Sequence, residues 1–142
     1  MSRKSLTILW VILLSFLASA CSGGTSGSVR NASQSCLNQG GAGSCDGRIG
    51  RLSGTYGIDI EDEGISPSDL ILVELNVTVD VGTVRVFFEG ADGDVTSAEV
   101  NPGLPLQIAG FAQGEFDGFE IGFEALGESA EGLTYSLNYA IH

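Results

Sequence analysis

A two-residue alternation of apolar and polar side chains recurs along this 142-residue chain beyond residue 50 and limits the folds that it can adopt. Successive side chains of a β-strand point to opposite faces, so this period predicts strands that bury one face. No segment beyond residue 20 has a convincing helical period. The alternating segments are residues 52–60, 75–81, 84–88, 95–100, 104–108, 119–125 and 133–141.

Turn-forming residues separate these segments. Gly82 lies between two of the clearest runs and predicts a hairpin that joins them. Pro105 interrupts another run and places that strand at a sheet edge, because proline cannot donate a ladder hydrogen bond. About six to eight short strands at this spacing predict an all-β fold, an antiparallel β-sandwich of jelly-roll type, over residues 47–142.

The start of the chain has the pattern of an export signal. Arg3 and Lys4 precede an apolar run over residues 8–18 that only Ser15 interrupts. A basic region followed by a short apolar region is typical of a secretory signal peptide. The apolar run is too short to span a membrane, which takes roughly 20 apolar residues.

The residues that follow resemble the lipobox of bacterial lipoproteins. Residues 17–21 read LASAC, with small residues directly before Cys21 and Ala18 where the family usually has leucine. The resemblance implies that residues 1–20 are removed and that Cys21 is lipidated and becomes the N-terminus. Ser22 after it favours the outer membrane or the cell surface. The alternative is an ordinary secretory cleavage near Ala20 that leaves a free thiol.

Two other cysteines, Cys36 and Cys45, remain after Cys21 is lipidated. An exported protein meets an oxidising compartment, so a disulfide between them is expected. A metal site is the alternative, but two thiols do not complete a zinc shell and the only histidine is the last residue, His142. We therefore predict no metal and no cofactor. Residues 21–46 are rich in Gly, Ser, Asn and Gln, and predict a flexible tether closed by this disulfide.

Cleavage after residue 20 would leave a strongly acidic chain. The six basic residues fall to four arginines while all 18 acidic residues stay, so the formal charge of −12 becomes −14. The negative electrostatic field of such a chain repels nucleic acid. The predicted partners are the membrane, through the lipid anchor, and an unknown extracytoplasmic protein or glycan, with no nucleic acid.

Side chains suited to catalysis are scarce. Beyond residue 20 the chain has one histidine and no Lys, Trp or Met, and it lacks a G-x-S-x-G elbow, a phosphate-binding loop and a dinucleotide-binding fingerprint. Paired carboxylates of the glycosidase kind are the remaining option. We predict that the protein is not an enzyme.

Two acidic clusters are candidate binding features. The first follows the run over residues 52–60, and clustered carboxylates there are the chemistry that calcium needs; a solvated, self-repelling face is the alternative. The second is interpreted as a hairpin tip, because it lacks the glycine and closing glutamate of an EF-hand loop. The two clusters are Asp59, Glu61, Asp62 and Glu63, and Glu89, Asp92 and Asp94.

Two aromatic residues could anchor a partner. Phe87 falls on the face opposite its apolar neighbours, and Phe116 lies in a glycine-rich segment. Exposed aromatic side chains are common binding anchors. Cover by a loop or by the second sheet is the alternative.

The folded part is loosely similar to the small β-sandwich modules of secreted bacterial proteins, such as the pre-peptidase C-terminal type. The similarity lies in the segments VTVDVGTVRVFFEGADGD and GLTYSLNYAIH. It implies a β-sandwich that serves as a binding, stability or secretion appendage, and it assigns no functional residues. We predict a non-enzymatic, lipid-anchored envelope protein that binds or accompanies a partner; the alternative is a calcium- or carbohydrate-binding surface domain.

Overall fold

Nine strands form two antiparallel sheets in the computed structural model, which describes residues 27–142. A single 3₁₀ turn, Ala91–Gly93, interrupts this pattern within the described residues. The strands are β1 (Ser28–Asn38), β2 (Ala42–Ser53), β3 (Thr55–Glu61), β4 (Leu70–Thr78), β5 (Val84–Glu89), β6 (Val95–Val100), β7 (Leu106–Gln113), β8 (Gly118–Ala125) and β9 (Ala130–Ile141).

The strand order confirms the predicted β-sandwich of jelly-roll type. One sheet has the order β1-β2-β9-β4-β7 and the other the order β3-β8-β5-β6. Strands β2 to β9 thus divide into two four-stranded sheets between which the chain repeatedly crosses, as in a jelly roll. Strand β1 adds a fifth strand beside β2.

The core lies between the two sheets and is built from the inward residues of the alternating segments. Burial of an aromatic or branched aliphatic side chain stabilises a fold by about 1.5–3 kcal/mol. Because these residues come from both sheets, they hold the two layers face to face. The fully buried side chains include Phe88, Phe119, Phe123, Leu75, Ile121 and Leu137.

The hairpin predicted at Gly82 is not formed. Strands β4 and β5, on either side of it, lie in different sheets, and Gly82 (φ +83°) belongs to the crossing between them. Both strands turn their apolar faces to the same core, from opposite sides. A two-residue period shows which residues are inward, but it does not distinguish a hairpin within one sheet from a crossing between sheets. The hairpin that does form joins β5 and β6, through the 3₁₀ turn.

The folded domain begins earlier than residue 47. Residues that were expected to form the tether lie in β1 and in the first half of β2, and Cys36 and Cys45 are directly opposite each other in this strand pair. The side chains of β1 are mostly exposed and polar, so they lack the apolar alternation that marked the other strands. The predicted signal peptide over 1–20, Cys21 and the rest of the predicted tether up to residue 26 lie outside the described residues.

One irregular row crosses three neighbouring strands. Asn31 of β1 (φ +53°), Gly50 of β2 and Gly132 of β9 (φ +64°) lie side by side at the one level where the regular pairing of these strands is interrupted. In β2 the buried residues on either side of Gly50 are Ile49 and Leu52, three positions apart instead of two. We call this the phase-shift row. All three strands carry an extra residue at the same level. Their inward side chains therefore stay level with one another both before and after the row.

The strand that follows Pro105 is at a sheet edge, as predicted. β7 begins at Leu106 and pairs only with β4. Residues 27–142 contain no helix with the length and apolar character needed to cross a lipid bilayer.

Candidate functional site

An open acidic cleft lies at the end of the sandwich where the β1–β2 turn, the β3–β4 loop and the β7–β8 turn meet. Its volume is about 870 Å³. We call it the acidic cleft, because its lining includes six carboxylate side chains and no basic side chain. It is lined by Asn38, Gly40, Asp59, Ile60, Glu61, Asp62, Glu63, Gly64, Glu115, Phe116, Asp117, Gly118 and Phe119.

Backbone hydrogen bonds hold the two longer loops of the cleft together. The N–H of Asp62 donates to the carbonyl of Asp117 (2.8 Å), and the N–H of Asp117 donates to the carbonyl of Ile65 (3.2 Å). The β7–β8 turn closes on itself through the N–H of Glu115 and the carbonyl of Gly118 (2.7 Å). The walls of the cleft are therefore positioned by the fold rather than by a ligand.

Asp62 belongs to the interior and not to the exposed acidic cluster in which the sequence placed it. Its side chain is 4% exposed and accepts hydrogen bonds from the N–H groups of Gly64 (2.8 Å) and Gly41 (3.0 Å) and from the hydroxyl of Tyr139 (2.9 Å). Burial raises the pKa of Asp62, but these three hydrogen bonds outweigh it and hold the pKa below its ordinary value. The charged carboxylate is thus a structural acceptor at the floor of the cleft.

Tyr139 completes this buried network. Its ring meets Phe119 edge to face, with centroids 5.2 Å apart, and its hydroxyl also hydrogen-bonds Oδ1 of Asn38 (2.8 Å). Burial raises the pKa of Tyr139, and the hydrogen bond and charge of Asp62 raise it further. The phenol therefore stays protonated and links β9 to both the end of β1 and the β3–β4 loop.

The remaining carboxylates of the predicted cluster are exposed. Asp59 lies on β3 directly opposite Glu120 of β8, and Glu61 and Glu63 follow at the rim. Burial raises the pKa of Glu120, and the negative charges of Asp59 and Glu115 raise it further. The two ion pairs found among the described residues, Arg51–Glu131 and Arg85–Glu124, involve none of these groups. The cleft therefore has a strong and uncompensated negative field.

The two predicted aromatic anchors have different surroundings. Phe116 is 88% exposed at the rim of the acidic cleft, so it is available to a partner. Phe87 is half-buried, and its ring covers Gly122, where an added Cβ would lie 2.2 Å from the ring. Phe87 is thus part of the packing of the sheet.

The second acidic cluster is a hairpin tip, as interpreted from the sequence. Asp92 (φ +59°) and Gly93 (φ +78°) form the turn between β5 and β6, and Glu89 and Asp94 flank it. None of them lines the acidic cleft. Within residues 27–142 no group of three or more His, Cys, Asp or Glu side chains is arranged to hold a metal ion.

The cysteine and histidine side chains have clear positions. Cys36 and Cys45 form the predicted disulfide, with Cys45 in the core. His142 packs on Phe111, with ring centroids 5.0 Å apart, at the edge formed by β4 and β7. The histidine is thus part of neither the acidic cleft nor a cysteine cluster. Cys21, the predicted lipidation site, precedes the described residues.

A second concavity of about 650 Å³ lies on the outer face of the five-stranded sheet. Its polar side chains are mainly hydroxyls and amides, with a single acidic and a single basic residue, so it is the less charged of the two concavities. We call it the polar groove. Its lining includes Ser33, Asp46, Arg48, Asn76, Thr78, Thr134 and Ser136.

Sequence reasoning did not find the groups that organise the cleft. To predict that Asp62 points inward, one would have to know that β3 and its alternation end at Glu61. Tyr139 was recognised only as an inward residue of its strand. The signal that could have pointed to Asp62 is the glycine at position 64, because Asp commonly accepts a hydrogen bond from the backbone two residues on.

Comparison with known proteins gives distant structural similarity only. No family model matches the chain, and no curated protein matches it. The chain is similar to the CBM22-1 xylan-binding domain of Paenibacillus barcinonensis Xyn10C, with 11% identity, a TM-score of 0.42, and coverage of 83% of this chain and 88% of that domain.

Two further solved structures are similar at the same level. The Clostridium difficile EutQ protein has 15% identity and a TM-score of 0.34, over 77% of this chain and 68% of that one. The enzymatically active domain of bacteriophage CBA120 tailspike protein 4 has 10% identity and a TM-score of 0.42, over 81% of this chain but only 20% of that one. These similarities are too distant to assign a function.

Proposed function

We propose that this protein is a non-enzymatic, lipid-anchored binding or accessory module of the bacterial envelope, held through Cys21 on the extracytoplasmic face of a membrane. The observation that carries the proposal is the disulfide that joins Cys36 of β1 to Cys45 in the core. Disulfides persist in exported proteins and are rare in the cytoplasm. Their pairing leaves Cys21 as the remaining cysteine of the sequence, at the lipobox position.

The anchor is tested by mass spectrometry of the N-terminal peptide of the protein produced in a bacterial host. We expect Cys21 as the first residue, carrying acyl chains, and we expect a Cys21→Ala variant to accumulate as the uncleaved precursor. A Ser22→Ala variant is the matched control and should be processed normally. An unmodified thiol at Cys21, or normal processing of Cys21→Ala, would overturn the anchor.

We assign binding to the acidic cleft. Glu61, Glu63 and Asp117 line the cleft together with the exposed ring of Phe116. Carboxylates form charge-assisted hydrogen bonds with guanidinium and ammonium groups, and an aromatic face attracts the same cations. The chemistry fits an arginine- or lysine-bearing segment of an extracytoplasmic partner protein.

Titration calorimetry with an arginine-containing peptide tests this assignment. We expect salt-sensitive binding that Glu61→Gln with Glu63→Gln weakens, and that Phe116→Ala weakens by about 0.5–1 kcal/mol, the size of an exposed cation–π contact. The matched controls are Glu128→Gln and Leu104→Ala, which change an exposed acid and an exposed apolar side chain outside the cleft. Equal losses in the control variants, or no binding at low salt, would contradict it.

Carbohydrate binding is a second candidate function, favoured by the polar groove. Hydroxyl and amide side chains such as Asn76, Thr78 and Thr134 can hydrogen-bond a neutral sugar. The acidic cleft, in contrast, would repel an acidic glycan. Affinity electrophoresis through gels that contain neutral polysaccharides tests it. We expect retardation that Asn76→Ala reduces and the exposed control Asn101→Ala leaves unchanged; migration unaffected by every polysaccharide would exclude this candidate.

A further inference from the structure

We propose that two copies of this protein pair antiparallel through the free edge of β1, which joins their five-stranded sheets into one continuous sheet. Among the strands of residues 27–142, β1 is the last of its sheet and pairs only with β2. In an antiparallel ladder every second residue turns its N–H and C=O away from the neighbour, so the open side of β1 carries unused donors and acceptors. This interaction does not depend on the ligand of the acidic cleft.

The edge of β1 lacks the features that usually prevent such pairing. Folded proteins protect edge strands with charged residues, proline, bulges or covering elements. Residues 32–38 of β1, beyond the phase-shift row, read ASQSCLN and contain no charge and no proline. Their side chains are exposed except that of Cys36, which is half-buried. The regular edge therefore spans seven residues, longer than the mean strand of about 5–6 residues.

The other sheet edges are less open. β3 carries Asp59 and Glu61 along its length. β7 lies against β6, where an added Cβ at Gly110 would come within 2.9 Å of the side chain of Thr96. The β5–β6 turn also approaches β7, because a Cβ at Gly90 would lie 2.8 Å from the carbonyl oxygen of Phe111. β7 carries no charge but is obstructed by these neighbours, so β1 is the edge with the least obstruction.

Charge selects the antiparallel arrangement. Four of the five arginines and all 18 acids lie within the described residues, so two copies repel each other overall. A two-fold axis at Ser35 would pair residues 32–38 of the two copies and bring Arg30 of each copy towards the β1–β2 turn of the other, at Gly40. Gly40 lines the acidic cleft beside Glu61 and Glu63, so each arginine would meet carboxylates of the other copy. A parallel arrangement would instead bring the two acidic clefts together.

Two further features support this edge. Leu37 is 73% exposed. Pairing centred on Ser35 would place Leu37 opposite Ser33 of the other copy and bury part of its apolar surface. The Cys36–Cys45 disulfide fixes β1 to β2. An edge that is already held in place loses less conformational freedom when a second strand is added.

Site-specific crosslinking of the full chain in its native membrane tests the proposal. Ser35 would face its own counterpart across the axis, with Cβ atoms roughly 4.5–5.5 Å apart. We expect a Ser35→Cys variant to give a covalent dimer with a short bis-maleimide reagent, which does not require an oxidising compartment. Ser97→Cys, an exposed serine on the edge strand β6, is the matched control and should stay monomeric. No dimer from Ser35→Cys, or equal dimer from both variants, would overturn the proposal.

A charge exchange in the Ser35→Cys background tests the orientation. Arg30→Glu should reduce the crosslinked fraction several-fold, and adding Glu63→Arg should restore it, because the two charges then exchange places across the interface. Circular dichroism of each variant checks that the sandwich is intact. Failure of the second substitution to restore crosslinking in folded protein would overturn the antiparallel arrangement.

Discussion

At the scale of single residues, Asp62 shows how one carboxylate can join two loops and a strand. The group has lost almost all of its water, and that loss would normally favour its neutral form. Two backbone N–H groups and one phenol replace the water. The carboxylate therefore stays charged, because hydrogen bonds from the protein take the place of those from water. The ends of β1, β3 and β9 meet at this point.

We predict that Asp62→Asn destabilises the protein by about 1–3 kcal/mol at neutral pH, because an amide cannot accept from all three donors and leaves buried polar groups unsatisfied. The pKa of Asp62 lies below its ordinary value of 3.8. The stabilisation by the carboxylate is therefore present above about pH 4 and is lost as the pH falls through the lower folded-state value.

Urea unfolding of the Asp62→Asn variant and of the unsubstituted protein, from neutral to acidic pH, measures this effect. The control is Asp59→Asn, which changes an exposed acid of the same strand and should not be destabilising. A stability difference between Asp62→Asn and the unsubstituted protein that is the same at pH 7 and pH 2–3, roughly the range below the ordinary Asp pKa, would contradict it.

At the scale of elements, β1 contributes Val29 and Cys36 to the core, and polar contacts hold much of the rest of the strand. Tyr135 and Tyr139 of β9 reach across β2 to donate hydrogen bonds to Gln34 (3.2 Å) and Asn38 (2.8 Å). Glycine residues of β2 make room for both rings. This arrangement explains why β1 has no apolar alternation although it is a full member of the sheet.

We predict that Gly47→Ala loosens β1 and destabilises the protein by about 1–3 kcal/mol, the usual cost of an extra carbon in a packed site. A Cβ at position 47 would lie 2.1 Å from Cζ of Tyr135, so the ring must move and its hydrogen bond to Gln34 is broken. The control is Gly127→Ala, where an added Cβ meets nothing within 4 Å.

Hydrogen exchange of the β1 amides, together with thermal melting, measures this prediction. Exchange should accelerate in β1 of Gly47→Ala while the amides of β8 remain protected. If the protection of β1 and the melting temperature were unchanged, the prediction would be wrong, because the ring of Tyr135 could then move aside without cost.

The elements also show what sequence reasoning could and could not determine. The alternation in 119–125 and 133–141 marks β8 and β9 correctly because each buries one apolar face. β1 escaped notice because most of its side chains are polar and exposed, and because two of its amides are held by tyrosines 101 residues away along the chain. The partner of each strand, and with it the crossing at Gly82, depends on contacts between distant segments. The exposed position of Phe116 in the acidic cleft depends on loop packing for the same reason.

At the scale of the whole molecule, charge is the dominant property. Residues 27–142 contain four arginines and 18 acidic residues, and two of the arginines form ion pairs with glutamates. Self-repulsion of this size keeps a protein soluble but weakens its compact state. Repulsion is concentrated at the acidic cleft, where Asp59 and Glu120 are directly opposite each other.

We predict that sodium chloride raises the melting temperature at neutral pH, because a Debye length of about 10 Å at 0.1 M falls to about 3 Å at 1 M and screens the repulsion. The gain should shrink as the pH approaches about 4, where carboxyl groups take up protons. Calorimetric melts over a salt series at both pH values measure it. A melting temperature that falls with salt at neutral pH would contradict the prediction.

The phase-shift row ties the lengths of three strands to one another. Removal of Gly50 alone would put β2 out of step with both neighbours, so that core side chains on one strand would lie level with outward side chains on the next. The same holds for Asn31 and for Gly132. Only a simultaneous deletion in β1, β2 and β9 would keep all inward side chains level. A change of length in this part of the sheet is therefore a collective event, which a stepwise series of single deletions cannot reach without passing through a misaligned core.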